Sequence, residues 1–294
     1  MNILFIIFNR PTETRTVFES IREAKPSRLC IAADGPRKDN KEDYMLCEQV
    51  RLSVSNIDWP CEVVTRFQEK NLGCKKHVSS AITWFLEHVE EGIILEDDCL
   101  PDQSFFTFVQ AMLERYRSNN EVMHISGANF NVASSPLQPS YYFSQCPHIW
   151  GWATWKRAWE TYDIDMNDLS PYIESRSIYT LFKSKDAADF WISLFKHIKG
   201  KNIDTWDAQW AYSIIKNKGK AITPKVNLVK NIGFGDTSTH TTNKNGHLSH
   251  ATHHMEHIIH PQNTEVDRKI DDILVHTLYI ESFWNKLFRR LKIR

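Results

Sequence analysis

The sequence predicts an α/β domain, and three observations carry that prediction. Short apolar runs alternate with helix-length stretches through the first half of the chain. Each run ends in an acid or in a Gly/Pro/Asn turn. The chain has 294 residues and 41% hydrophobic content, enough to bury a sizeable core. Alternation of this kind is the signature of βαβ units and a parallel sheet.

Taken in order, "NILFIIF" near the N-terminus reads as a buried first strand. It is too short for a span or a signal core, has no basic flank before it and no small-residue cleavage site after it. Pro11 suits a first helical turn, and the helix is expected to run to Ala24. "RLCIAAD" is the second strand, "GPRKDN" a polar loop, and Lys41 to about Ser55 a helix. "CEVVTRF" is the third strand and "EKNLG" a turn into a helix from Cys74 to about Val89. "GIIL" is the fourth strand; Glu96, Asp97 and Asp98 follow it, then a helix in "DQSFFTFVQAMLERYRS". Parallel sheets bind ligands beyond the carboxyl ends of their strands, so Asp34, Arg66 and Glu96 to Asp98 should converge on one edge. After "EVMHISGAN" the chain becomes Trp-rich and irregular from Pro136, with helices expected near Ala187 to Lys199 and Trp206 to Lys216. No repeat and no low-complexity linker separates the two halves.

Lys+Arg and Asp+Glu balance at 36 each, so no global field points to nucleic acid or an acidic partner. Six cysteines without a C-x-x-C pair and without an export signal are expected as reduced thiols.

Chemistry concentrates in three places. Three adjacent carboxylates, Glu96, Asp97 and Asp98, repel one another unless a cation or a ligand's donors sit among them. Mg²⁺ and Mn²⁺ prefer such oxygens and keep positions open for substrate phosphates; acids at a helix start are the plain alternative. In "ADGPR", Asp34 ends a strand before a turn and could meet ribose hydroxyls or a base edge, although Asp-Gly-Pro is also ordinary turn chemistry. In "NLGCKKH", a turn feeds a helix whose first residues include Lys75, Lys76 and His77. That is either a phosphate site or a solvated helix start.

"FNRP", "ADGPR", "NLGCKKHV", "ILEDDCLP", "GWATWKRAW", "TWDAQW" and "NLVKNIGFGDTSTHT", in this order, resemble the nucleotide-sugar glycosyltransferases of GT-A fold, and most of all bacterial relatives of N-acetylglucosaminyltransferase I. The resemblance covers roughly residues 1 to 245. It implies a Rossmann-like mixed sheet flanked by helices, with a C-terminal acceptor-side subdomain. Residues 1–130 would form the nucleotide-sugar half, 131–245 the acceptor-side half, and 246–294 a His-rich segment and tail. E-D-D is the family's variant of the D-x-D motif. The match puts Asp98 on a Mn²⁺ (or Mg²⁺) that also holds the donor diphosphate, with Glu96 and Asp97 beside ribose and sugar and Asp34 near the nucleoside. Asn9, Arg10, Arg66, Asn71 and Gly73 would also line the donor site.

An inverting transfer needs a base within reach of the acceptor hydroxyl. Asp207 in "TWDAQW" is the candidate, although the family has two adjacent acids where this sequence has Asp207, Ala208 and Gln209. Asp204 is the fallback. His240, in a Gly- and Thr-rich loop, could ligate the metal or bond the donor phosphate. Trp152 and Trp206 could line the acceptor site, since aromatic faces stack on sugars; core packing is the alternative. His250, His253, His254 and His257 fall at helical spacing and could form a zinc face. "SFWNKLFRRLKIR" is basic and amphipathic, suiting either an anionic lipid surface or a helix packed on the domain.

The expected activity is a metal-dependent transfer of a sugar from a nucleoside-diphosphate sugar, UDP-linked by preference, to a glycan or lipid-linked glycan hydroxyl in surface polysaccharide synthesis. The expected location is cytoplasmic, peripheral at most. A sugar-phosphate nucleotidyltransferase is the alternative enzyme, but "FNRPTET" stands where a Gly-rich loop would be. A catalytically inactive binding module is the other alternative, and the retained acids argue against it.

Overall fold

The structure is a computed structural model, and it describes residues 1–130, 139–233 and 251–280. Ten strands are present among the described residues: β1 (Asn2–Ile7), β2 (Arg28–Ala33), β3 (Glu62–Phe67), β4 (Glu91–Glu96), β5 (Cys99–Pro101), β6 (Val122–Ser126), β7 (Tyr141–Ser144), β8 (Trp152–Trp155), β9 (Lys220–Pro224) and β10 (Val229–Asn231). The helices are α1 (Pro11–Ala24), α2 (Lys41–Ser53), α3 (Cys74–His88), α4 (Gln103–Tyr116), α5 (Lys156–Trp159), α6 (Leu169–Glu174), α7 (Lys185–Lys201), α8 (Asp207–Lys216) and α9 (Arg268–Leu274). No helix among the described residues is long and apolar enough to cross a membrane.

Eight strands form one mixed sheet in the order β3-β2-β1-β4-β8-β6-β9-β7. β1 runs parallel to β2 and β4, and β2 runs parallel to β3. The strand order therefore reverses beside β1, where the carboxyl ends of β1, β2 and β4 open onto a common crevice. In that register Ile7 faces Ala33 and Ile6 faces Glu96, so Arg10, Asp34 and the acids emerge on one edge.

The sequence pattern missed the rest of the sheet. β8 inserts antiparallel between β4 and β6, and β7 and β9 close the far side. These strands are four or five residues long and buried except at Lys220, the first residue of β9. A strand covered on both faces loses the alternation that would reveal it, and "WATW" then looks like any aromatic core segment. The second half thus supplies three strands to the same sheet. Two buried clusters flank the sheet, around Phe5, Phe18 and Phe105 on one face and Phe85, Trp152 and Trp210 on the other. A third lies among α6, α7 and α8.

Helix ends follow local chemistry. α1 begins with Pro11 and closes on Lys25 in a left-handed conformation. Asn40, Asp102 and Ser184 cap α2, α4 and α7 through their side chains. Of the histidines read as a zinc face, His253, His254 and His257 are not on a helix, since residues 251–260 carry no regular structure. His254 Nδ1 pairs with Asp102 Oδ1 at 2.9 Å and His260 Nδ1 with Tyr141 Oη at 2.9 Å, so neighbouring imidazoles serve different elements. His250 lies outside the described residues, as do His240 and the basic tail from residue 281.

Candidate active site

A cleft of about 500 Å³ lies at the carboxyl edge of β1, β2 and β4. The sequence-predicted residues Asn9, Arg10, Asp34, Asn71, Gly73, Glu96, Asp97, Asp98, Trp206 and Asp207 all line it. They come from five separate segments, which only the sheet edge brings together.

The acids sit where β4 ends and turns into β5. Asp97 is buried, accepts the Phe8 N–H at 3.1 Å, and lies 3.3 Å from Arg10 Nη1. Asp98 Oδ2 meets the same Nη1 at 2.7 Å. The positive charge that the sequence demanded among the three acids is therefore supplied, in this structure, by Arg10. One guanidinium does not balance three carboxylates. Burial, then the charges of Asp98 and Asp97, push Glu96 well above the usual carboxylate range. Burial and Asp98 push Asp97 up to about 7, against the pull of Arg10. No described residue hydrogen-bonds the Glu96 carboxyl, which lines the cleft.

β10 closes over this turn by pairing with β5. The Ile232 N–H donates to the Asp98 carbonyl at 2.8 Å, and a Cβ at Gly233 would stand 2.4 Å from Asp98 Oδ2. Glycine is needed there because the backbone passes directly over the carboxylate.

Asp34 is buried and fully engaged. Its Oδ1 accepts the N–H groups of Gly35 at 2.8 Å and Leu72 at 2.9 Å, while Oδ2 accepts Asn71 Nδ2 at 2.9 Å. Burial raises its pKa, and the backbone N–H groups of Leu72 and Gly35 oppose the rise. It clasps the loop after β2 to the loop before α3. Asn9 plays a similar part on the other side: its amide donates to Asp43 Oδ1 at 2.9 Å, and Arg37 grips the same carboxylate through Nε at 2.6 Å and Nη2 at 2.9 Å.

Two expectations are corrected by position, and two open readings are narrowed. Arg66 points away from the cleft; its Nη1 donates to the Ser80 carbonyl at 2.5 Å, in a separate groove shared with Lys76 and Trp84. β3 is the sheet edge, and Arg66 near its carboxyl end is held by α3. Trp152 has no exposed surface and stacks between His124 at 4.9 Å and Trp206 at 5.6 Å, so it is core. Trp206 shows only 2% of its surface, to the cleft wall. The leading amides of α3 are not open to phosphate either, because Asp204 accepts Cys74 N–H at 3.1 Å and Lys75 N–H at 2.8 Å. Asp204 thereby caps a helix whose own N-cap is Gly73.

Asp207 opens α8 and faces the cleft near enough to Glu96 to raise its pKa. The Thr205 hydroxyl donates to Asp207 Oδ1. Sequence reasoning missed Arg37, Trp150 and Asn231, which also line the cleft. Arg37 stood inside the quoted "ADGPR", and Trp150 stood in the Trp-rich stretch, so a signal was present for both. It had assigned His77 only to a helix start. His77 is 4% exposed, 3.8 Å from Asp34 Oδ1, without a hydrogen-bond partner on either ring nitrogen, and burial lowers its pKa to about 4. It presents a neutral imidazole beside Asp34.

Among the described residues no group of three or more His, Cys, Asp or Glu forms a preassembled metal cage. The carboxylates of Glu96, Asp97 and Asp98 line one edge of the cleft, and an all-oxygen edge of this kind fits a hard divalent ion that takes further ligands from substrate and water.

No protein-family model matches the chain, and no curated protein matches it. Among solved structures, HddC from Yersinia pseudotuberculosis is similar over 55% of this chain and 80% of its own, at 11% identity and a TM-score of 0.33. Mouse xyloside xylosyltransferase 1, in its apo form, is similar over 74% of this chain and 82% of its own, at 8% identity and a TM-score of 0.35. Likeness at that level carries no functional weight, and the α/β architecture rests on the sheet itself.

Proposed function

We propose that the protein is a divalent-metal-dependent glycosyltransferase that moves a sugar, with inversion, from a nucleoside-diphosphate sugar to an acceptor hydroxyl. A UDP-sugar is the preferred donor class, and a glycan or lipid-linked glycan the acceptor. The observation that carries this reading is convergence: Asp34, Glu96 to Asp98 and Asp207, far apart in sequence, line one cleft at the reversal of strand order.

The roles follow from position. Asp34, with the neutral imidazole of His77 beside it, forms the end suited to an uncharged nucleoside. Asp98 and substrate phosphates would hold Mn²⁺ or Mg²⁺, which would supply Lewis-acid stabilisation of the departing diphosphate. Arg10 and Arg37 give the donor end its positive charge. Asp207 takes the acceptor proton, and the Thr205 hydroxyl fixes the carboxylate that does so. Trp150, which lines the cleft, is the aromatic side chain we assign to the acceptor sugar.

Asp207→Asn tests the reading, because it keeps size and hydrogen bonding while removing the base. General-base assistance contributes about 10²- to 10⁴-fold, so kcat for transfer from UDP-sugars with Mn²⁺ should fall by that factor. Donor affinity, titrated separately, should hold. A folded variant within about tenfold of the parent rate would remove Asp207 from the mechanism. Conversion of UDP-sugar and added pyrophosphate to UTP and sugar-1-phosphate, in place of glycoside formation, would instead identify a nucleotidyltransferase.

A further inference from the structure

The cation among the three acids belongs to the chain itself. Arg10 Nη1 stands 2.7 Å from Asp98 Oδ2 and 3.3 Å from Asp97 Oδ1. A divalent ion of Mg²⁺ size binds carboxylate oxygen at about 2.0–2.1 Å. The guanidinium and such an ion would therefore compete for one oxygen, and as like charges at that separation they would also repel.

Asp98 is poorly placed to turn away from Arg10. Gly233 covers Oδ2, since an added Cβ would lie 2.4 Å from it. The Cys99 thiol sits 3.5 Å from Oδ1, and the Ile232 N–H fixes the Asp98 carbonyl at 2.8 Å. Arg10 differs. Its backbone is anchored by the Thr14 hydroxyl, which donates to the Arg10 carbonyl at 2.6 Å, and its long side chain lines the cleft, where an entering anion would meet the guanidinium. An anion that draws the guanidinium away would free the Asp98 carboxylate.

We propose that Arg10 gates the cation site, an inference that rests on the divalent-ion reading above. Before donor arrives the guanidinium holds Asp98 and Asp97. When a diphosphate enters, Arg10 transfers to its oxygens and Asp98 becomes available to the ion. Ion and diphosphate then bind cooperatively, each relieving the obstacle to the other, as reciprocal linkage requires. The device keeps a strongly acidic turn from collecting divalent ions when no donor is present.

The consequence is a pair of effects with opposite signs. Removing the guanidinium should tighten binding of the ion alone and weaken binding of the nucleoside diphosphate alone. A residue with only a structural role would move both in one direction.

The experiment uses the full chain as parent, Arg10→Gln, Arg10→Lys and Asp98→Asn, each checked for folding by circular dichroism. Mn²⁺ alone is titrated by the paramagnetic resonance of the free ion, and UDP alone by calorimetry. Breaking one charge-assisted pair is worth about ten- to a hundredfold, so Arg10→Gln should bind Mn²⁺ more tightly than the parent by that factor. It should bind UDP at least about tenfold more weakly. Arg10→Lys, which keeps the charge, should leave Mn²⁺ binding close to the parent's. Asp98→Asn should lose the ion. Equal Mn²⁺ affinities for parent and Arg10→Gln, or an undiminished UDP affinity in Arg10→Gln, would overturn the gate and leave the divalent-ion reading standing. No Mn²⁺ binding by any of the four proteins, with or without UDP, would overturn both.

Discussion

Asp204→Ala separates a structural acid from a catalytic one. α3 starts at Cys74 after Gly73, which has no side chain to satisfy the first amides and sits at φ +80. Asp204, from the other half of the chain, takes over that task at 3.1 Å and 2.8 Å. Loss of an N-cap costs about 0.5–2 kcal/mol, and loss of a carboxylate beside the positive end of an exposed helix about 0.3–1 kcal/mol more. Asp204 is exposed, which favours the lower half of both ranges. The expected destabilisation is therefore about 1–2 kcal/mol, read from the urea midpoint at constant m-value. Asp204→Asn keeps an acceptor oxygen and should lose less than about 1 kcal/mol. Turnover in the folded fraction of either variant should stay within about threefold of the parent, because no reacting atom is touched. A folded Asp204→Ala protein that loses about a hundredfold in kcat would refute this reasoning and make Asp204 the base in place of Asp207.

Two other perturbations are informative. Trp152→Ala should cost about 3–5 kcal/mol in urea unfolding, since the indole has no exposed surface and stacks between His124 and Trp206, whereas a folded Trp152→Phe should keep its acceptor KM. His124 is held neutral between the Trp210 N–H and the His148 carbonyl, and burial lowers its pKa to about 3. A depressed histidine pKa contributes stability that is complete above about pH 6.5 and is lost as pH falls towards 3, up to roughly 5 kcal/mol in all. The unfolding free energy of His124→Asn should accordingly fall less steeply than the parent's between pH 7 and 4, and parallel slopes would contradict the assignment.

Much of the first half was legible along the chain. Apolar runs, Pro11 at a helix start and the acids after "GIIL" are local signals, because each reports a strand interior, a backbone constraint or a charge density that needs no distant partner. They placed β1 to β4 and α1 to α4 within a few residues of where they fold. The crevice was legible too, since parallel strands with helical crossovers leave their carboxyl ends on one edge. Asp34 and Glu96 to Asp98 could be assigned there from position alone, and Arg66 by the same rule was misplaced. Its strand is the edge strand, and edge position depends on pairing order, which one sequence does not encode locally.

What only the tertiary structure decided were the long-range partners. β8 reads as an aromatic cluster until it is seen between β4 and β6, because a strand buried on both faces carries no period. Trp152 and Trp206 differ in role through stacking depth, not through residue type. Asp204 and Asp207 are equivalent in a string of letters, and they part because one reaches the amides of α3 while the other opens α8 towards Glu96. The same holds for the three adjacent carboxylates. The sequence required a positive charge among them; which charge, and that Arg10 can reach Asp98 at 2.7 Å, followed only from the parallel pairing of β1 with β4. Repulsion between neighbours is local, but its compensation is a matter of which distant strand lies alongside.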